Sequence, residues 1–563
     1  MSLLVNALVN PFRLLRNAYV RVLRRPPDFV WIPINGTLPE LDPPRLGLLR
    51  RRFGPRPRAL SLEAIRDRLD YILADGRPRG VILRVENLKA GWSALEELRA
   101  ELKRFQSNGK KVVAYLVDGG TSSYYLAAVA DEVFASPLST LNVVGLRVRV
   151  NFLKDALNTL GLETEVLAVS PYKSAADPLV RSDFSKEARE QVERLLDRRF
   201  DELIASISTG RDMSPEKIRN LIDRAPYSAA EAVREGLLDG ALYEDELPGR
   251  LADGENPARL AEWRAAKRAL RVSYRRGARM KSVGLVSVTG TIARGRSRKL
   301  PLPLPLLGRE QAGSDSVVAA LRVAEKRRRI GAILLHVDSP GGDALASDLI
   351  WREVERVRRK KPVVVLMGNA AASGGYYVSA AANLIVARTN TITGSIGVIL
   401  ARPVASGLLG KVKVNPVTVE RGARANLLDP RKPPSHDELA VLQDQLHNFY
   451  DEFKNRVEEG RKLRPDTLEE IAGGRVWTGT EALEKNLVDE IGDFRTALER
   501  ARELASISDG SPGVFVKVPP PAGFRPAPGE PVREVVDALR DALSELGAAR
   551  LWALTPYEIS HDW

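Results

Sequence analysis

The chain contains no cysteine. That excludes a disulfide scaffold, thiolate metal sites and a cysteine nucleophile. Histidine is almost as scarce, with His336, His436, His447 and His561 only, thin stock for a histidine metal centre or a Ser-His-Asp triad. No zinc-finger, Walker or RNP-like pattern accompanies the net charge of +14, so the charge does not point to nucleic acid. Much of it is local: residues 1–58 hold eleven arginines against three acidic residues, 11 − 3 = +8.

Charge is also missing from one internal stretch, Pro362 to Ala387, PVVVLMGNAAASGGYYVSAAANLIVA, in a chain where 28% of residues are charged. Its punctuation argues against a membrane span. Val363 to Met367 is a β-branched run of strand length, Gly368 and Asn369 break it, and Ala370 to Ala372 lead into Ser373-Gly374-Gly375. A helix-like Ala/Tyr segment and a second strand, Leu384 to Ala387, follow. Ser373 stands at the mouth of that helix with glycine amides beside it. This is a place for a nucleophile, although helix capping is the commoner use of such a serine.

With 563 residues, 44% of them hydrophobic, the chain has room for two to four domains. The N-terminus, MSLLVNALVNPFRLLRNAYVRVLRR, lacks the layout of a secretory signal. As a helix it places Leu4, Leu8, Phe12, Leu15, Tyr19 and Leu23 on one face and arginines elsewhere, with Pro11 as a possible break. Two readings stand: an in-plane helix drawn to anionic lipid, or a basic helix packed on its own domain.

From residue 60 the chain alternates helix (Leu60–Ala74, Ala94–Gln106) with buried-type strand (Val81–Val85, Val112–Val117), the pattern of a parallel sheet with crossover helices. The succession then recurs. GVILRVEN at 80–87 overlays AILLHVDS at 332–339, a shift of 332 − 80 = 252. Tyr124-Tyr125 falls on Tyr376-Tyr377, Gly145 on Gly397 and Asp177-Pro178 on Asp429-Pro430 at the same shift. Later the shift is 481 − 231 = 250, where SAAEAVREGLLDG overlays TGTEALEKNLVDE. The chain is a tandem duplication, with a period too long for a solenoid.

The copies differ where chemistry would sit. Ser373 overlays Thr121, and Lys173, in SPYKSAADP, overlays Ala425. Each half keeps one ingredient that the other lacks. A serine needs a base, and with so few histidines a neutral lysine is the natural candidate. Such a lysine must be buried to titrate near neutrality, and Tyr172, Ala175 and Ala176 suit that. The commoner fate of any single lysine is a solvated surface. HVDSPGG at 336–342 ends the second-copy strand in a glycine pair fit for an oxyanion hole, where the first copy has Glu86-Asn87-Leu88-Lys89.

HVDSPGG, AASGGYY, TGSIGV and YKSAADP together resemble the signal peptide peptidase A family, the long tandem form of the ClpP/crotonase superfamily, over roughly residues 60–500. The resemblance implies an α/β fold of two ClpP/crotonase-like repeats with mainly parallel sheets. It also implies a membrane-associated Ser/Lys serine protease that degrades cleaved signal peptides and other hydrophobic peptides. Carried over by motif, Ser373 is the nucleophile, Lys173 the general base and Ser395 the serine that orients the lysine. The backbone N–H groups of Gly342 and Gly374 form the oxyanion hole. No cofactor or metal is implied. The implied partners are peptide substrates, a membrane surface and further copies of the chain, four in the long form, at the periplasmic face of a bacterial inner membrane. One departure is that the long form carries a transmembrane anchor, where this chain has the Arg-rich arm.

The sequence therefore divides into an arm and connector (1–58), a lysine-donating repeat (59–244), a linker with a basic connecting helix (245–280), a serine-bearing repeat (281–503) and a Pro-rich tail with a helix (504–563). A Pro/Leu insertion at 294–314 reads as a flap, a sticky surface or an ordinary loop. Other functions weighed are crotonase-like acyl-CoA hydration or isomerisation, and a non-catalytic membrane-surface scaffold. The S-x-x-K at Ser170 lacks the K-T-G and S-D-N that would accompany it in penicillin-binding enzymes. A triad of His336 and Asp338 with Ser373 is the weaker alternative, since His336 reads as a strand residue packed in place.

Overall fold

The β-branched runs that recur along the sequence become the central strands of two mainly parallel sheets. A computed structural model describes residues 2–42, 60–272, 281–304, 308–427, 429–507, 515–521 and 550–554. The chain divides into two compact units, the second formed by Arg149–Leu195 with Lys281–Ile559 and the first by the rest.

In the first unit the main sheet runs Leu260–Glu262, Phe29–Thr37, Gly80–Lys89, Lys111–Leu116, Glu132–Ala135, Gly240–Ala241, all parallel. In the second the order is Phe515–Lys517, Ser282–Thr289, Ile330–Ser339, Val363–Ala372, and the last of these pairs both Leu384–Ala387 and Ile392–Gly394. Val81 to Leu83, Ile333 to Leu335 and Val363 to Leu366 are fully buried. Strands covered on both faces read as continuous apolar runs rather than alternating ones.

The duplication reaches individual hydrogen bonds. Tyr124 donates to the Leu237 carbonyl at 2.8 Å, and Tyr376 to that of Leu487 at 2.9 Å. Arg211 pairs with Asp239 at 2.8 Å as Arg461 pairs with Asp489 at 2.6 Å.

Several sequence expectations are corrected. The first repeat begins before residue 59, because Phe29–Thr37 is an inner strand of its sheet. Residues 245–272 are no free linker: Leu260–Glu262 forms the sheet edge and the helix there is short, Trp263–Ala269. Gly368-Asn369 does not end its strand. The pairing jumps from Val337↔Met367 to Ser339↔Ala371, a bulge that carries the strand on to Ala372. The insertion at 294–314 includes a hairpin, Arg298–Leu304 against Gly308–Gly313. The helix expected at 532–546 lies outside the described residues.

That hairpin belongs to a second sheet of the same unit, ordered Arg298–Leu304, Gly308–Gly313, Thr291–Ala293, Gly341–Asp343, Arg550–Leu554, Ile399–Val404, Glu163–Ala168. Residues 163–168 come from the first repeat by sequence, yet they complete a sheet of the serine-bearing unit.

The N-terminal helix, Ser2–Leu23, runs through Pro11 without a break. One side is packed on its own unit. Arg16 donates to the carbonyls of Leu270 and Lys267 at 3.0 and 2.9 Å, Asn17 exchanges hydrogen bonds with Val272, and Val20 is buried. The other side leaves Phe12, Leu15, Tyr19 and Leu23 exposed. No described helix is long and apolar enough to cross a membrane.

Candidate active site

Ser373 follows directly on the strand Val363–Ala372 and precedes the helix Gly374–Ser379. Its φ is 54°, in a region that L-residues seldom occupy and that carries a strain cost. The bond from its N–H to the Gly394 carbonyl, 2.8 Å, and the bond its own carbonyl receives from Tyr377 N–H, 2.8 Å, hold it there. Its hydroxyl makes no capping bond, so the side chain is not spent on the helix. The hydroxyl meets Lys173 instead.

Lys173 Nζ lies 2.6 Å from Ser373 Oγ, 2.8 Å from the Ser395 carbonyl oxygen and 2.9 Å from Ser395 Oγ. The lysine is 2% exposed and both serines 0%. Burial drives its pKa well below the ordinary lysine value, because an ammonium taken from water loses solvation and no opposite charge offsets the loss. Its three neighbours are neutral oxygens, which match the two N–H bonds and one lone pair of a neutral amine.

The packing that dries the amine comes from several segments of one unit. Ala175 and Ala176 are buried with Leu300, Ile399 and Ala401, so the hairpin of the 294–314 insertion helps to close the lysine loop. Tyr172 is only half-buried, its ring under the Arg475 guanidinium at 3.9 Å. Gly474, φ +89°, lies so close that a Cβ on it would stand 2.6 Å from Lys173 Cβ. Ser395, φ 53°, is fixed by its N–H to the Arg475 carbonyl at 2.7 Å. Residues 473–475 thus shape both the lysine stem and the serine that holds its tip.

The two glycines expected to bind an oxyanion are neighbours. A Cβ on Gly374 would lie 3.1 Å from the Gly342 amide nitrogen and 2.6 Å from Ser347 Oγ. Any side chain at 374 would therefore crowd the Gly342 amide. A Cβ on Gly342 would strike the Ile292 carbonyl oxygen at 2.0 Å. The positions tolerate no side chain, which suits backbone donors placed for a developing negative charge.

Residues weighed and set aside have other work. Thr121 Oγ1 donates to the Gly145 carbonyl at 3.1 Å, the counterpart of a 3.5 Å approach of Ser373 Oγ to Gly397; the first copy keeps the frame without the base. Ala425, opposite Lys173 in the repeat, is exposed. His336 is buried in mid-strand and Asp338 accepts from the Ala370 N–H at 3.1 Å. Ser170 donates to the Gly473 carbonyl. Among the described residues no group of acidic and histidine side chains could hold a metal.

Three contributors escaped the sequence reading. They are Gly473-Gly474, Leu300, and the strand Arg550–Leu554. The last pairs antiparallel with Gly341–Asp343 on one side (Gly342↔Ala553) and with Ile399–Val404 on the other (Ile399↔Trp552). The glycine repeat at 473–474 was the one visible signal. The other two carry no motif.

The chain as a whole is similar to known proteins. The model of peptidase family S49 matches residues 104–256 and 355–508, and that of Clp protease residues 307–393. A serine protease SPPA, chloroplastic, of Arabidopsis thaliana is 32% identical over 82% of this chain and 67% of its own length. Protease 4 of Haemophilus influenzae is 30% identical over 80% of this chain and 74% of its own, and Protease 4 of Salmonella typhi 29% over 82% and 76%.

Proposed function

The chain belongs to peptidase family S49 and is a serine protease, and from that premise we propose that Ser373 is its nucleophile and Lys173 its general base. The observation that carries this is the 2.6 Å contact between a buried Nζ and Ser373 Oγ. A neutral Lys173 donates its two N–H bonds to the carbonyl and hydroxyl of Ser395, which leaves its lone pair facing the Ser373 hydroxyl. Ser395 is in this reading a positioning residue.

The reaction then runs in two halves. Lys173 takes the Ser373 proton as Oγ bonds to the scissile carbonyl carbon, and the oxyanion is received by the amides of Gly342 and Gly374. Collapse breaks the C–N bond, and Lys173 passes the proton to the departing amine. Water, deprotonated by the same amine, next attacks the ester, and Ser373 leaves with the proton returned. The strand pairing of Gly341–Asp343 and Ile399–Val404 with an intervening extended segment supports a substrate that binds as a β-strand.

We take the substrates to be hydrophobic peptides, including cleaved signal peptides, met at a membrane surface, in an assembly of several copies of the chain. The exposed Phe12, Leu15, Tyr19 and Leu23 beside arginines support attachment in the plane of an anionic bilayer. Fluorophosphonate labelling tests the chemistry. Wild type is expected to label, and Ser373→Ala and Lys173→Ala are not. Labelling that survives in both variants would overturn the Ser/Lys assignment.

A further inference from the structure

The duplication makes one strand pairing occur once where the sequence provides for it twice. Glu163–Ala168, from the first repeat, pairs antiparallel with Ile399–Val404, from the second, in the register Val404↔Glu163 to Ile399↔Ala168. Moved by the repeat shift of 252, the first segment becomes 163 + 252 = 415 to 168 + 252 = 420, and the second becomes 399 − 252 = 147 to 404 − 252 = 152. Both counterparts exist, and neither belongs to a strand of the described structure.

The two copies fold alike around these segments. Leu153 N–H bonds the Pro178 carbonyl at 2.6 Å, and Ala405 N–H bonds that of Pro430 at 2.7 Å. Leu162 donates to Leu157 as Val414 donates to Leu409, each at 2.9 Å. The short helix before each segment ends in a positive φ, at Gly161 and at Lys413. Segment 415–420 is thus presented as its twin is, but to solvent: Val417 is 89% exposed and Val419 82%. Apolar residues alternating along an uncovered edge are a template for another strand.

We propose that residues 415–420 of one chain add as an antiparallel strand to residues 147–152 of a second copy of the same chain. The inherited register sets Val419 opposite Val148, Val417 opposite Val150 and Glu420 opposite Arg147. Along 147–152 exposure alternates, with Val148, Val150 and Phe152 turned partly inward and Arg147, Arg149 and Asn151 outward. The valines of both strands therefore share one face, and the outer face carries an opposite-charge pair, both favourable across a ladder. One detail cannot be copied. Gly161 meets Gly407 closely enough that a Cβ on Gly161 would lie 2.5 Å from the Gly407 carbonyl carbon. The counterparts are Lys413 and Asp155. The helix ends must stand further apart there, with a charge pair in place of backbone contact.

The pairing joins two different surfaces, so each copy offers one to each neighbour, and the assembly closes only as a ring. The inference rests on the homo-oligomer part of the proposed function and not on the peptidase assignment. The absence of cysteine makes the test clean. Directly opposed residues of an antiparallel pair have Cα atoms about 4.5–5.5 Å apart, within disulfide reach. Under mild oxidation, Val148→Cys/Val419→Cys should form multiples of the chain on a non-reducing gel. Either single variant should not. Val417→Asp/Val419→Asp should fall to the mass of one chain by light scattering and keep fluorophosphonate labelling, since Lys173 and Ser373 share a unit. An oligomeric wild type with no cross-link, or with cross-linking by Val419→Cys alone or only within one chain, would overturn this interface and leave the oligomer reading standing. A monomeric wild type would overturn both.

Discussion

The α-carbon of Gly474 is pressed against the stem of Lys173, so close that a methyl group there would stand 2.6 Å from Lys173 Cβ and 2.8 Å from its Cδ. The backbone at Gly474 is also left-handed, φ +89°. Gly474→Ala therefore strains the backbone and pushes the lysine from Ser373. We expect activity to fall about 100-fold, as for a reacting group misplaced by about 1 Å, with folding retained. A kcat within a few-fold of wild type in a folded variant would show that the lysine has room to yield.

With Lys173 as the proposed general base, the pH dependence has a fixed sign. Burial lowers its folded-state pKa, so the neutral, active form prevails above that pKa, and kcat/KM should rise with pH along one limb well below the ordinary lysine range. The same shift costs stability. Below the unfolded pKa of about 10.4 the unfolded chain binds the extra proton, by about 1.4 kcal/mol per pH unit until the folded pKa is reached. Lys173→Met should therefore stabilise the protein at pH 7, and by less as pH rises towards 10. Thermal denaturation at the two pH values checks this. A gain equal at both would detach the effect from proton linkage.

Leu300 packs with Ala175 and Ala176, and Leu300→Ser would admit water to the lysine loop. The acidic limb of kcat/KM should move to higher pH as the amine regains solvation, with the high-pH plateau nearly kept. A uniform loss at all pH values would mean that Leu300 acts on stability instead.

The slot between Gly341–Asp343 and Ile399–Val404 is filled by the chain's own Arg550–Leu554. An extended substrate pairing with the same edges must displace that strand. A chain ended after Gly547 should therefore show a lower KM for a peptide substrate with kcat little changed. A synthetic peptide of residues 548–563, added back, should inhibit competitively. Unchanged KM together with no inhibition would separate this strand from the substrate path.

Phe12, Leu15, Tyr19 and Leu23 are exposed while Arg16, Asn17 and Val20 hold the helix to its unit. Phe12→Glu/Leu15→Glu should abolish co-flotation with vesicles rich in anionic lipid and leave peptide hydrolysis in solution unchanged. Flotation equal to wild type would assign those side chains elsewhere.

The amino-acid sequence by itself determined the duplication, the strands and crossover helices of each copy, and the motif residues Ser373, Lys173, Ser395, Gly342 and Gly374. Most rest on local chemistry, namely β-branched runs, glycine at turns and a register that persists over 252 residues, while Ser395 and the Gly374 amide come from the motif resemblance. It misplaced what depends on partners distant in the chain. Phe29–Thr37 looked like connector because its neighbours in the sheet, Gly80–Lys89 and Leu260–Glu262, lie far along the sequence. The burial of Lys173 was decided only by tertiary structure, since Gly474, packed on its stem, and Leu300, Ile399 and Ala401, packed on Ala175 and Ala176, come from three separate segments. A pKa shift by burial is a property of the surrounding volume, and no stretch of sequence encodes that volume alone. Tertiary structure likewise decided that residues 149–195 join the serine-bearing unit, because the strand Glu163–Ala168 finds its hydrogen-bond partner at Ile399–Val404 and not within its own repeat.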